Sequence, residues 1–178
     1  MKDALLVVDV VNTFRHEDGD ALLASFRQRL ETMSSVRADA RADSGLPVIY
    51  VNDAHGDWTG DAPRFVRQAI DDGEGGDVVG ALAPGGEEPF LFKGRYSVFD
   101  STPLALVLEA LEVERVLLMG ASTEGCIVQS AIDGRDLGLK VTILTGACAT
   151  ADKELERLAL AYAERVGGVR LTTGLDDR

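Results

Sequence analysis

The sequence has few cysteines, few histidines and no concentration of positive charge, and each shortage narrows what the chain does. Its two cysteines, Cys126 and Cys148, lie in no paired spacing, so no disulfide framework can be built and a reducing compartment is expected. Only His16 and His55 are present, which gives little support to a Cys–His dyad and leaves no histidine-rich metal cage. Apolar runs such as Ala4 to Val8 and Val116 to Met119 are too short to cross a bilayer. The first begins almost at Met1, without a basic region or cleavage site, so a cytoplasmic protein with no membrane contact is expected. The 18 basic residues are scattered among 30 acidic ones, and a net charge of −12 repels nucleic acid. No G-x-G-x-x-G follows an apolar strand, which argues against a dinucleotide site.

What is present is a soluble core pattern of 178 residues, 46% hydrophobic and 27% charged. No repeat, low-complexity tract or linker divides it, so residues 1–178 are expected to form a single domain. Short runs rich in Val, Leu and Ile predict strands at Ala4 to Val8, Pro47 to Val51, Pro89 to Phe92, Arg115 to Met119 and Lys140 to Leu144, with a weaker one at Val169 to Thr172. Helical periodicity falls between them, at Asp20 to Ser44, Pro103 to Leu111, Glu124 to Leu137 and Lys153 to Val166. Thr102 before Pro103 reads as a helix start, and Gly45, Gly138 and Gly167 stand where left-handed helix ends are expected. The Gly/Asp/Glu-rich stretch from Asp71 to Glu88 reads as a surface loop or excursion, with a plain connection or disorder favoured over a lid. Alternating strands and helices, the strands apolar on both faces, predict an α/β fold. Its form is a three-layer α/β/α sandwich, Rossmann-like, around a mostly parallel six-stranded sheet, with ligands at the carboxyl ends of the strands.

Three residues at those ends do not belong in a core. Asp9 closes the first strand, Lys93 closes Phe90-Leu91-Phe92, and Cys126 lies beyond Arg115 to Met119 where a helix should begin. An Asp and a Lys at the mouths of apolar strands are least costly if they face one another, either as a structural ion pair or as catalytic groups. Around Cys126 the run Gly120-Ala121-Ser122-Thr123-Glu124-Gly125 is rich in small residues that let backbone amides approach a substrate. A thiol in the first turn of a helix, near an ammonium, is expected to ionise close to neutral pH. Asp9 could accept its proton and return it to a leaving amine. Cys148 also follows a strand and reads as a small buried hydrophobe. Asp53 and His55 are spaced as two metal ligands could be, but Asp57 or Asp61 would have to complete the set, so no functional metal is expected.

The segments Leu5-Leu6-Val7-Val8-Asp9-Val10-Val11-Asn12-Thr13-Phe14, Lys93-Gly94-Arg95-Tyr96-Ser97-Val98-Phe99 and Gly120-Ala121-Ser122-Thr123-Glu124-Gly125-Cys126-Ile127 resemble, in order, the three signature segments of the isochorismatase-like cysteine hydrolases. The resemblance runs from residue 5 to about residue 150. It implies a six-stranded parallel sheet, a Cys126, Asp9 and Lys93 triad, and a non-proline cis peptide at Ala121-Ser122 that turns the amides of Ser122 and Cys126 toward an oxyanion. It also implies a homodimer or homotetramer. The segment Asn52-Asp53-Ala54-His55-Gly56-Asp57-Trp58 is similar to the metal-free branch, because the further metal histidines of the nicotinamidase branch have no counterpart. No cofactor is therefore expected. A cysteine at 126 favours covalent hydrolysis of a small amide or ureido compound, with Phe14, Trp58, Tyr96 and Phe99 as pocket walls. Two other readings stay open: ether or ester cleavage with Asp9 as acid and Cys126 idle, and a catalytically silent oligomeric binding protein.

Overall fold

The computed structural model describes residues 1–175. The chain runs β1 (Asp3–Val8), α1 (Gly19–Ala42), β2 (Val48–Asp53), α2 (Ala62–Asp72), α3 (Gly76–Leu82), β3 (Phe90–Lys93), α4 (Leu104–Ala110), β4 (Arg115–Ala121), a π-helical turn (Thr123–Ile127), α5 (Val128–Asp136), β5 (Lys140–Ala149), α6 (Lys153–Arg165) and β6 (Arg170–Thr172). The strands form one six-stranded sheet in the order β3-β2-β1-β4-β5-β6, and every pairing is parallel.

Parallel neighbours require crossovers, and the helices of those crossovers cover both faces of the sheet. Strand β1 shows why its sequence is apolar throughout. Leu5 and Val7 join the cluster that contains Phe26, Met33, Val78 and Leu82, from α1 and α3. Ala4, Leu6 and Val8 join the opposite cluster with Leu104, Leu108, Val128 and Ala131, from α4 and α5. Successive side chains of a strand point to opposite faces, so a strand covered on both sides has no polar face to show. The strand order reverses between β1 and β4, and the crevice at their carboxyl ends is where such sheets bind ligands.

The stretch from Asp71 to Glu88 differs from its sequence reading: it contains the end of α2 and the whole of α3. Val78, Val79 and Leu82 are buried against the α1 side of the core. The last carbonyls of α3 are satisfied from outside the helix, Ala81 and Ala83 by the Arg37 guanidinium at 2.6 and 2.8 Å and Leu82 by the Tyr50 hydroxyl at 3.0 Å. Two of the glycines that make this stretch look like a loop are packing residues. A Cβ at Gly75 would lie 2.3 Å from the Phe14 ring, and one at Gly76 would lie 2.4 Å from the Ile70 carbonyl.

Smaller differences follow from local geometry. Strands β4 and β5 run on through Gly120-Ala121 and Thr145–Ala149, past the apolar runs that marked them, with a register shift that pairs Gly120 with Cys148. Gly138 takes the left-handed conformation after α5, with φ 86°, whereas after α6 Gly168, not Gly167, does so and Gly45 does not. Helix α4 starts at Leu104, whose amide donates to the Thr102 hydroxyl at 3.3 Å. Among the described residues no helix is long and apolar enough to cross a membrane.

Replacing Gly75 by Ala should cost about 1–3 kcal/mol in urea unfolding, the usual penalty of overpacking, because its Cβ has no room beside Phe14 and Leu23. Gly80→Ala, inside α3 with nothing within 4 Å, should instead be stabilising by about 0.5–1 kcal/mol. Equal and negligible effects at both sites would return this stretch to a loose loop.

Candidate active site

The carboxyl ends of β1, β3 and β4 bring Asp9, Lys93 and Cys126 together. Lys93 is the last residue of β3 and its side chain is only 1% exposed. Its ammonium has three N–H groups and meets three acceptors: Asp9 Oδ2 at 2.7 Å, the Arg95 carbonyl at 3.0 Å and Cys126 Sγ at 3.4 Å. An ammonium this deeply buried is tolerable only when paired and fully hydrogen-bonded, and here it is both. Burial alone would lower its pKa, but Asp9 and then Cys126 outweigh burial and hold it above the ordinary lysine value. The lysine is therefore a permanent cation between a carboxylate and a sulfur.

Asp9 reaches this position through its backbone. Its φ is 50°, a left-handed conformation that Asp tolerates better than most residues, so the chain leaves β1 sharply and the carboxylate turns toward β3. Its Oδ1 accepts the Asp53 amide at 2.6 Å while Oδ2 meets Lys93, so both oxygens are held. The chain that follows is pinned to β2 by buried Asn52. That side chain accepts from the Val11 amide at 2.9 Å and donates to the Val11 carbonyl at 3.0 Å, replacing the strand pairing that the turn has ended.

Cys126 sits in the π-helical turn that follows a cis peptide between Ala121 and Ser122. The Ser122 carbonyl accepts the amides of Gly125 and Ile127 at 3.2 and 3.1 Å, which closes the turn on itself. The Cys126 carbonyl accepts the Ser130 hydroxyl at 2.5 Å, and the same hydroxyl oxygen accepts the Val98 amide at 3.0 Å, tying the turn to the loop after β3. Beneath it, the hydroxyl of fully buried Thr123 lies 2.9 Å from Glu156 Oε1 and 3.1 Å from the Ala149 carbonyl. Glu156, on α6, is gripped by both terminal nitrogens of Arg29 on α1 at 2.9 and 3.0 Å. Glu124 accepts from the Thr150 hydroxyl at 2.7 Å. Arg29, Asn52, Thr123, Ser130, Thr150 and Glu156 were not singled out in the sequence as supports of the site. They are ordinary polar residues far apart in the chain, and only their shared burial marks them.

The thiol itself departs from expectation. Its pKa is pushed up to about 12, by burial first and by Asp9 second, against a smaller lowering by Lys93. The lysine charge that was expected to ionise the thiol is already offset by the Asp9 carboxylate at 2.7 Å. Burial and the neighbouring Asp9 keep the thiol protonated, with the Lys93 ammonium in contact with both Asp9 and the sulfur. Cys148 lies fully buried on β5 with its Sγ 3.7 Å from the Leu118 carbonyl.

Of the four aromatic residues named as pocket walls, two stand beside the centre. Trp58 is exposed and lies over Gly94, where a Cβ would come 2.9 Å from its ring, and exposed Tyr96 lies against Gly125. Phe14 does not reach the site: with φ 59° it turns back into the core and meets Phe26 edge-on at 5.5 Å. Phe99 packs on Gly134 under α5 for the same reason, that a large ring near a strand end gains more by burial. A cavity of about 510 Å³ opens next to the centre, lined by Asp53, Gly94, Tyr96, Ser97, Gln129 and Asp133 among others. Asp53 and His55 engage each other, the His55 amide donating to Asp53 Oδ1 at 2.7 Å while the imidazole stacks on Phe65. Among the described residues no group of three or more His, Cys, Asp or Glu side chains is placed to hold a metal.

Known proteins resemble this chain over most of its length. Residues 3–174 match the family described as "Isochorismatase domain". The uncharacterized isochorismatase family protein YaaI of Bacillus subtilis is 28% identical over 170 residues, 96% of this chain and 93% of that protein. The maleamate amidohydrolase of Pseudomonas putida is 30% identical over 155 residues, 83% of this chain and 71% of that enzyme. The crystal structure of N-carbamoylsarcosine amidase from Thermoplasma acidophilum superposes with a TM-score of 0.73 at 28% identity, covering 97% of this chain and 96% of that one.

A raised thiol pKa means a protonated sulfur throughout the neutral range. Thiolate absorbance near 240 nm, taken as the difference from a Cys126→Ala variant, should accordingly develop only above about pH 11. Asp9→Asn removes the charge that raises the pKa and should move this step downward. A thiolate step near pH 7 in the unaltered protein would show that the helix and lysine dominate after all.

Proposed function

Because the chain belongs to the isochorismatase family, we propose that it hydrolyses the carbon–nitrogen bond of a small amide or ureido compound through a thioester on Cys126. The observation that carries this reading is the contact of one buried ammonium with both the Asp9 carboxylate and the Cys126 sulfur. A structural ion pair needs only the first of these contacts. The family relatives named for their reactions support the bond type, since maleamate amidohydrolase and N-carbamoylsarcosine amidase are both amide-cleaving by name.

The chemistry follows from the resting protonation states. Asp9 takes the Cys126 proton as the sulfur attacks the carbonyl carbon, so charge moves from carboxylate to sulfur to substrate oxygen beside a fixed cation. In this reading the amides of Ser122 and Cys126 hold the oxyanion, each worth about 3–4 kcal/mol in comparable sites. Asp9 returns the proton to the leaving nitrogen, and the carbon–nitrogen bond breaks to leave a thioester. A water molecule, giving its proton to Asp9, then attacks the thioester carbon. The acid departs, and Asp9 hands the proton back to the Cys126 sulfur. A raised thiol pKa suits this sequence, because the sulfur is ionised only as it attacks and Asp9 is never more than one proton transfer from it. Lys93 holds Asp9 in place through the ion pair at 2.7 Å. Trp58 beside Gly94 and Tyr96 beside Gly125, both exposed, are the proposed contacts for a small, flat substrate.

Assaying the purified protein against a panel of small amides, ureas and carbamoyl compounds for released ammonia tests the proposal. Cys126→Ala should lower turnover of an accepted substrate by up to about six orders of magnitude, as removal of a nucleophile does elsewhere. Intact-mass measurement during turnover should find an acyl adduct on Cys126. Turnover retained without the thiol would instead assign the reaction to acid catalysis by Asp9.

A further inference from the structure

We propose that the substrate carries an ammonium group, and that the cavity beside Cys126 selects it by charge. This deepens the hydrolase reading and rests on it for the bond that is cleaved. The cavity, of about 510 Å³, adjoins the reactive centre through Asp53, which lines it and whose backbone amide donates to Asp9 at 2.6 Å. Another part of its wall comes from α5. Gln129 and Asp133 follow Cys126 at i+3 and i+7, so the three share one face of the helical segment, and Asp133 stands about 10 Å along the axis from the cysteine.

Charge decides what this space accepts. Three carboxylates, Asp53, Asp100 and Asp133, line it against one guanidinium, that of Arg95. Arg95 is already matched, with its Nε 3.4 Å from Asp100 Oδ2. The cation of the centre itself, Lys93, has committed its three hydrogens to Asp9, the Arg95 carbonyl and Cys126. An anionic substrate group would therefore enter beside carboxylates with no cation free to receive it, which is costly away from bulk water. An ammonium meets the reverse situation. Asp53 Oδ1 accepts the His55 amide at 2.7 Å and Asp133 Oδ1 accepts the Gln129 side-chain amide at 3.1 Å, but neither Oδ2 has a partner among the described residues. The Tyr96 ring, exposed and lining the same cavity, offers a cation the negative face of its π-system. Holding the far end of the substrate by charge orients its carbonyl carbon at the sulfur.

Charge-matched thiol reagents read this preference without relying on turnover. Two methanethiosulfonates, one bearing a trimethylammonium and the other a sulfonate, are compared for their rates of reaction with Cys126 in the full chain, followed by peptide mass mapping. Both reagents meet the same sulfur, so its protonation state cancels from the ratio. The cation-to-anion rate ratio at Cys126 should exceed that of 2-mercaptoethanol by about tenfold or more. Asp53→Asn combined with Asp133→Asn should lower the ratio by about threefold or more. Glu114→Gln, at an exposed acid just before β4, should leave it unchanged, which separates the cavity from the general field of a chain carrying −12. Among amides of similar length, β-alaninamide should be turned over with a kcat/KM about tenfold or more above that of uncharged butyramide, and succinamate should be the poorest. A ratio no higher than that of the model thiol, a ratio that survives the paired Asn variant, or an equal fall in Glu114→Gln would each overturn the proposal. Preference for succinamate would do the same and leave the hydrolase reading standing. A cation-selective sulfur in a protein that turns over none of the three amides would uphold the charge preference and count against amide hydrolysis.

Discussion

The structure depends on one buried cation. The Lys93 ammonium sits at the end of β3 almost out of contact with water, and its three hydrogens need three acceptors. Asp9, the Arg95 carbonyl and Cys126 provide them. Each acceptor belongs to a different local structure, so the chain must converge here from three directions. Much of the local backbone follows from that demand. Asp9 leaves β1 with a positive φ, the loop after β3 curls so that the Arg95 carbonyl faces back, and the turn after β4 presents a sulfur.

The sheet makes the convergence possible. With the order β3-β2-β1-β4-β5-β6, the carboxyl ends of β1 and β3 are separated by β2 alone, and its Asp53 amide fills the gap by donating to Asp9. The ends of β1 and β4 adjoin at the reversal of strand order, which brings the Cys126 turn alongside Asp9. The same arrangement sets the chemistry of the sulfur. A lone lysine beside a helix start would ionise a thiol, whereas a lysine already neutralised by a carboxylate in a desolvated crevice leaves the thiol protonated. Burial and Asp9 together hold the sulfur as a thiol and not as a standing thiolate.

Support for the Cys126 turn comes from outside the crevice. Thr123 is tied to Glu156 of α6, which is held in turn by Arg29 of α1, so helices from opposite faces of the sheet meet under the turn. These groups have low exposure and satisfy one another's hydrogen bonds, which is the condition for a polar network to rigidify rather than weaken a fold. Helix α6 thus has two dissimilar sides. One carries Glu156 into the protein, and the other leaves Leu155, Leu158 and Tyr162 half exposed.

The sequence by itself determined the alternation of strands and helices, the parallel sheet, and the three residues at its carboxyl edge. These depend on short-range patterns: apolar runs of strand length, helical periodicity, and charged residues where a buried strand should end. The Asp71 to Glu88 stretch escaped because its glycines, which look like loop residues, are there for close packing against Phe14 and Ile70. Phe14 and Phe99 resembled pocket residues by position, yet whether a ring near a strand end turns inward depends on the space behind it. Only the tertiary structure decided that space, the network from Arg29 to Thr123, and the protonation state of Cys126. Each of these is set by burial and by partners that lie far away along the chain, and neither quantity is written in any local run of residues.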